Sequence, residues 1–205
     1  MKKVLLAVLI VILGIAGYYW YMFSRSGTGN SGPKQEPIAL KKHSAAFNQS
    51  VSTAMSAYFD MSAAFVEADT AKVKEHGRRF LALLDSIPMD ELKKDTTTIY
   101  DLAMNDLGNI KANTVSLLSM SDIQEMRKDF STVSENLYPS FFNTINYEGD
   151  KMYWQNCPMA FGEDKGANWV SKTKEVINPY MGKNHPEFRG TMLHCGSVKD
   201  TIQAK

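Results

Sequence analysis

From Phe47 onward the chain repeats a stripe at steps of three and four: Phe47, Val51, Met55, Tyr58, Met61 or Ser62, and Phe65. That period places one buried stripe on a helix within residues 38–68. Asp69 reads as the cap of a second helix, whose inner side carries Val73, Phe80, Leu81, Leu84 and Ile87 and which Pro88 closes. A third helix is expected from about Asp90 to Leu118, with Leu92, Ile99, Leu102, Ala103, Leu107, Ile110 and Leu117 inward. Ser121, with Gln124 three residues on, reads as a capping box opening a fourth. Its stripe is Ile123, Met126, Phe130, Val133 and Leu137, and it ends near Pro139. Four amphipathic helices with short connections must pack on one another, because each stripe alone would be exposed apolar surface. The expected fold is therefore all-α, an antiparallel four-helix bundle.

Beyond Pro139 the helical period fades, and residues 147–205 read as an irregular tail on a domain spanning 38–205. Glu148-Gly149-Asp150 and Gly162 to Gly166 are turn signals. Met152 to Gln155 suits a short strand or an extended segment. Trp169, Val170, Val176 and Ile177 are the apolar points that would dock the tail on the bundle, and Asn178-Pro179-Tyr180 is a stiff turn.

The other end of the chain has a different pattern. Lys2 and Lys3 precede the apolar run Val4 to Phe23, which has the length of roughly 20 residues that a spanning helix needs. Tyr18, Tyr19, Trp20 and Tyr21 cluster where an aromatic belt would sit, and the lysines favour a cytoplasmic N-terminus. Residues 1–23 are thus expected to be an uncleaved transmembrane anchor. A cleaved signal peptide is the rival, but its apolar region would be shorter, and Tyr18 to Phe23 stand where a small-x-small cleavage site should follow it. Residues 24–37, SRSGTGNSGPKQEP, read as a flexible tether. This arrangement predicts a single-pass inner-membrane protein with its C-terminal domain in the periplasm.

Composition narrows the function classes. The chain of 205 residues has a net charge of +1 and 44% hydrophobic residues, enough for one core and too balanced for a nucleic-acid partner. It holds 2 cysteines, 4 histidines and 12 methionines. His43 and His76 lie among the helices without partner ligands in sequence, and no paired Glu-x-x-His repeat of a di-iron bundle is present. Gly-rich phosphate loops and Ser/His/Asp motifs in a known context are also absent. Cys157 and His194 could be drawn as nucleophile and base, but no third group orients them, so no enzymatic activity is expected.

Both cysteines fall in the tail. Cys157-Pro158-Met159 puts a thiol and a thioether two residues apart on a stiffened loop. Met192-Leu193-His194-Cys195 brings a thioether, an imidazole and a thiol within four residues. Soft thiolate and thioether ligands favour Cu(I), and thiolate with imidazole also suits zinc, although no C-x-x-C pair is present. Cys157, Met159, Met192, His194 and Cys195 therefore form a chemically coherent Cu(I) set. The alternative is a Cys157–Cys195 disulfide that staples the tail. Closing a loop of about 38 residues would contribute roughly 4 kcal/mol in the chain-entropy account. His185, between Asn184 and Pro186, reads as a solvent-exposed loop histidine.

The strings Tyr153 to Ala160 (YWQNCPMA), Gly166 to Ser171 (GANWVS), Glu175 to Gly182 (EVINPYMG) and Met192 to Gly196 (MLHCG) resemble a bacterial domain of unknown function. That domain occurs alone behind a signal or anchor, or fused to and beside membrane-fusion proteins of copper and silver efflux systems. The resemblance runs from about Ser44 to Ile202. It implies a helical bundle with a cysteine-bearing tail, Cu(I) as the ion, and an efflux membrane-fusion protein as partner. The matching positions are Cys157, Met159, Met192 and Cys195, while His194 falls at a variable one. Lys183 to Arg189 reads as an insertion relative to the family pattern. No enzymatic reaction follows from the resemblance.

Overall fold

The structure is a computed structural model that describes residues 13–15, 17–18 and 41–203. Contacts divide the chain into two units, Met1–Gln35 and Glu36–Lys205. In the first, residues 13–15 and 17–18 are helical. The anchor expected over residues 1–23 falls almost wholly outside the described residues, as does the tether over 24–37. Among the described residues no helix is long and apolar enough to cross a membrane, so the expected anchor gains no support.

The second unit contains the four expected helices, with their boundaries revised. Helix α1 is Ala45–Val66, capped by the Ser44 side chain accepting from Phe47 N. Its buried residues include Phe47, Val51, Met55, Tyr58, Met61 and Phe65, the stripe that sequence period predicts. Helix α2 is Thr70–Asp85, capped by Asp69 as expected. The third helix starts later than expected. Met89–Lys94 forms a separate 3-10 turn, and α3 is Thr97–Ser119, capped by Thr96 accepting from Ile99 N. Helix α4 is Ile123–Glu135, and its cap is Asp122, which accepts from the backbone of Gln124 and Glu125, not Ser121. The helical path also continues past Pro139, through a wide turn at Asn136–Phe141 and a single turn at Phe142–Thr144. Helices α1 and α2, α2 and α3, and α3 and α4 pack on one another.

The all-α expectation fails in the tail. Strands β1 (Met152–Cys157), β2 (Ala167–Ser171) and β3 (Ser197–Ile202) form an antiparallel sheet in the order β2-β1-β3. The domain is a helical bundle carrying a small sheet. In β1, Met152, Trp154, Gln155 and Cys157 are buried. Trp154 pairs with Val170 on one side and Asp200 on the other, and Cys157 pairs with Ala167. The pairing with β3 slips between Trp154 and Gln155, which face Asp200 and Val198 and leave Lys199 as an extra residue. A backbone this short and this buried on its central strand needs its hydrogen bonds met by neighbours, and two flanking strands meet them.

Aromatic side chains join bundle and sheet. Tyr58 of α1 stacks on Phe130 of α4 at 5.1 Å, and Phe130 meets Tyr180 at 6.0 Å. Tyr180 in turn meets the edge of Trp169 on β2 at 5.8 Å. The Tyr58 hydroxyl accepts from Val170 N at 3.1 Å. It donates to Ser134 Oγ at 2.7 Å, because the Ser134 hydroxyl is already spent on Phe130 O. Burial pushes the Tyr58 phenol well above its ordinary pKa, so it stays a neutral donor and acceptor.

Candidate functional site

Cys157 ends the central strand and is fully buried. Pro158 follows it and prevents the strand from continuing as a ladder donor. Cys195 lies half-buried in the loop just ahead of β3. Their sulfurs stand 3.7 Å apart, and both cysteines are free thiols. The two expected outcomes, a ligand pair or a disulfide, both require this meeting, which the sequence alone left open.

Several features fix the approach. Gly196, directly after Cys195, has φ +139°, and a Cβ there would sit 2.5 Å from Asn156 O. Only glycine lets the chain turn from Cys195 into β3 while lying that close to β1. Asn178 is fully buried, and its side-chain Nδ2 donates to Cys195 O at 2.7 Å. Burial raises the Cys195 pKa, and the Cys157 thiol beside it raises it further. An ion binding there must displace that proton.

The other expected ligands are placed differently. Met159 and Met192 are half-buried and packed against the core that includes Cys157. His194 is exposed, with Nδ1 2.8 Å from Val176 O. A carbonyl oxygen can only accept, so Nδ1 carries the proton and a neutral ring keeps its lone pair on Nε2. Among the described residues no three His, Cys, Asp or Glu side chains gather closely enough to hold a metal ion. The thiols stand together, and His194 does not complete a cluster with them.

Two of the remaining histidines, His185 and His43, have structural partners. His185 accepts at Nδ1 from Glu187 N and Phe188 N, each at 3.3 Å, and burial lowers its pKa. It lines a cleft of about 570 Å³ together with Met159, Phe161, Met181 and Phe188. The His43 side chain is 1% exposed, stacks on Phe47 at 4.3 Å and pairs its Nε2 with Ile145 O.

The residues that sequence reasoning missed are Asn178 and Arg127. Arg127 sits on the inward stripe of α4 and is fully buried. Its Nε donates to Pro179 O at 3.0 Å and its Nη2 to Phe65 O at 3.1 Å. Burial brings its pKa down to about 10 against the pull of Asp122. A charged residue at an apolar helix position was the available signal, since such a residue is buried only with partners.

Comparison with known proteins adds one family match. No curated protein matches the chain, and no solved structure does. The matched stretch begins within α1 and stops before either cysteine, and it covers less than half of the chain. It is residues 54–147, which match the model of a family described as "Protein of unknown function (DUF3347)", so the helical part of this chain is similar to a domain of unknown function.

Proposed function

We propose that the protein binds Cu(I) between Cys157 and Cys195, holding the ion or passing it to an efflux membrane-fusion partner. The observation that carries this reading is the 3.7 Å contact of two free thiols brought together from positions 38 apart in the chain. Metal–thiolate bonds of about 2.3 Å place two sulfurs on one ion about 3.8 Å apart at a tetrahedral angle and about 4.6 Å apart in a line. The observed separation fits the bent arrangement, which leaves room for further soft donors. Met159 and Met192 lie two and three residues from the thiols and are the thioethers available for that role. A site of two thiolates with thioethers selects Cu(I) over harder ions. The sequence resemblance to domains beside copper and silver efflux proteins supports the same ion and partner.

A second reading uses the same contact. Oxidation would join Cys157 to Cys195 and fix the loop against β1, making the domain a stapled scaffold for a protein partner. One experiment separates the two. The reduced full-length chain is titrated anaerobically with Cu(I) against a chromophoric competing chelator. We expect one ion per chain, with affinity falling at least a hundredfold in C157S and in C195S. No uptake by the reduced chain would overturn the metal reading, and a quantitative disulfide in protein isolated without reductant would favour the scaffold.

A further inference from the structure

We infer that Asn178 is a positioning residue that holds Cys195 against Cys157. The inference rests on the thiol pair being the working site, whatever joins the two sulfurs. Cys195 lies on a loop whose nearby backbone bonds are short-range turns, such as Leu193 N to Gly190 O and Cys195 N to Met192 O. Turns of this kind shape the loop but do not tie it to the rest of the domain; His194 Nδ1 bonds Val176 O, Ser197 of β3 pairs with Asn156, and Asn178 ties the loop twice more, once at Cys195 itself. Its backbone N donates to Leu193 O at 2.8 Å, and its Nδ2 donates to Cys195 O at 2.7 Å.

Asn178 can act this way because it is itself immobilised. Its Oδ1 accepts from Tyr180 N at 2.9 Å and Met181 N at 3.1 Å, closing an Asx turn. Its backbone O accepts from Gly182 N at 2.9 Å. Pro179 restricts the backbone at Asn178 to extended angles. The turn is then clamped to the bundle: Arg127 Nε donates to Pro179 O, and Lys183 N donates to Val66 O at 2.7 Å. A continuous chain of hydrogen bonds thus runs from α1 and α4 through Asn178 to the Cys195 backbone. Cys157 is held independently by β1. The separation of the sulfurs is therefore set by β1 on one side and, on the other, by Asn178 together with the start of β3. Two groups held in register in this way react or bind together as though highly concentrated, and loosening one support forfeits that advantage.

The test reads the thiol pair without metal. The full-length chain is equilibrated with glutathione and its disulfide. The two protein thiols become one disulfide, and two electrons pass to glutathione disulfide, which becomes two glutathione thiols. The equilibrium constant gives the effective concentration of Cys157 for Cys195. N178D keeps an acceptor for Tyr180 N and Met181 N but replaces the donor to Cys195 O with a second acceptor, and N178S keeps a hydroxyl near those amides on a side chain too short to reach Cys195 O. We expect both to lower the effective concentration at least tenfold and to weaken Cu(I) binding in parallel. L107A, which removes a core side chain from α3, should lower thermal stability and leave the thiol equilibrium unchanged. A wild-type equilibrium constant in either folded Asn178 variant overturns the inference, as does an equal loss in L107A. If the chain binds no Cu(I) but the glutathione constant still falls, the metal reading fails and the positioning role stands.

Discussion

Gly182 illustrates how much of the site's support rests on single atoms. Its φ is +42°, and a Cβ there would meet Val66 O at 2.6 Å and Arg127 Nη2 at 3.2 Å. Both a strained backbone angle and a collision with a carbonyl follow from adding one methyl. We predict that G182A destabilises the domain by about 3 kcal/mol or more in chemical denaturation. A wild-type midpoint would mean that the turn shifts freely. The sequence displayed this turn as a stiff Asn-Pro-Tyr segment but not its purpose, because an Asx turn looks the same whether or not its spare amide reaches a distant loop. The cysteines posed the same difficulty. Their types and their neighbours Met159 and Met192 were visible in the strings, but the 3.7 Å approach depends on strand pairing and on Asn178. Arg127 was hidden by its context, being a cation among apolar positions whose partners are two carbonyl oxygens rather than a carboxylate.

At the scale of elements, the link between Tyr58 and β2 governs how the sheet meets the bundle. Strand β2 is an outer strand, and its Val170 N points to the Tyr58 hydroxyl instead of to another strand. That contact covers an edge that would otherwise offer its backbone to a second chain. In Y58F, Ser134 keeps its bond to Phe130 O, but Val170 N loses its acceptor in a buried place. The expected cost is about 2 kcal/mol, measurable by urea denaturation, with faster exchange of the Val170 amide. Unchanged exchange there would show that the hydroxyl does not guard the edge. The helices were legible because 3.6-residue periodicity survives in α1 through α4. The sheet was not. Strand β3 is a half-buried edge whose Lys199 bulge breaks alternation, and β2 is short and mostly buried, so neither writes a period-two pattern. The late start of α3 has a local cause: the segment after Pro88 winds into a 3-10 turn, and the cap comes only at Thr96.

For the described domain as a whole, the segment entering α1 is tied to distant parts of the fold through carboxylates. Ser44 N donates to Glu91 Oε1 at 2.6 Å, its hydroxyl bonds Glu91 as well, and Lys94 Nζ reaches Lys42 O at 2.6 Å. His43 N donates to Glu148 Oε2 at 3.1 Å. Burial opposes ionisation of Glu91, but the bonds from Ser44 and Lys94 outweigh it and bring its pKa down from 4.5 to about 2. A carboxylate depressed in the folded state stabilises fully above its unfolded pKa and loses that contribution as pH falls to the folded value. Wild-type stability should therefore fall between about pH 4.5 and 2 more steeply than that of E91Q, and parallel acid unfolding curves would remove Glu91 from the account. The sheet order has a consequence of its own. Cys157 closes the middle strand, and Cys195 is separated from β3 by Gly196 alone; β3 itself has a neighbour on one side only. Fraying of β3 would carry Cys195 away from its partner, so occupancy of the sulfurs and docking of the final strand form one thermodynamic cycle. An agent that joins the thiols at a hundred times its dissociation constant would tighten that strand by about 2.7 kcal/mol, and its removal would return the same amount as looseness at the C-terminal edge.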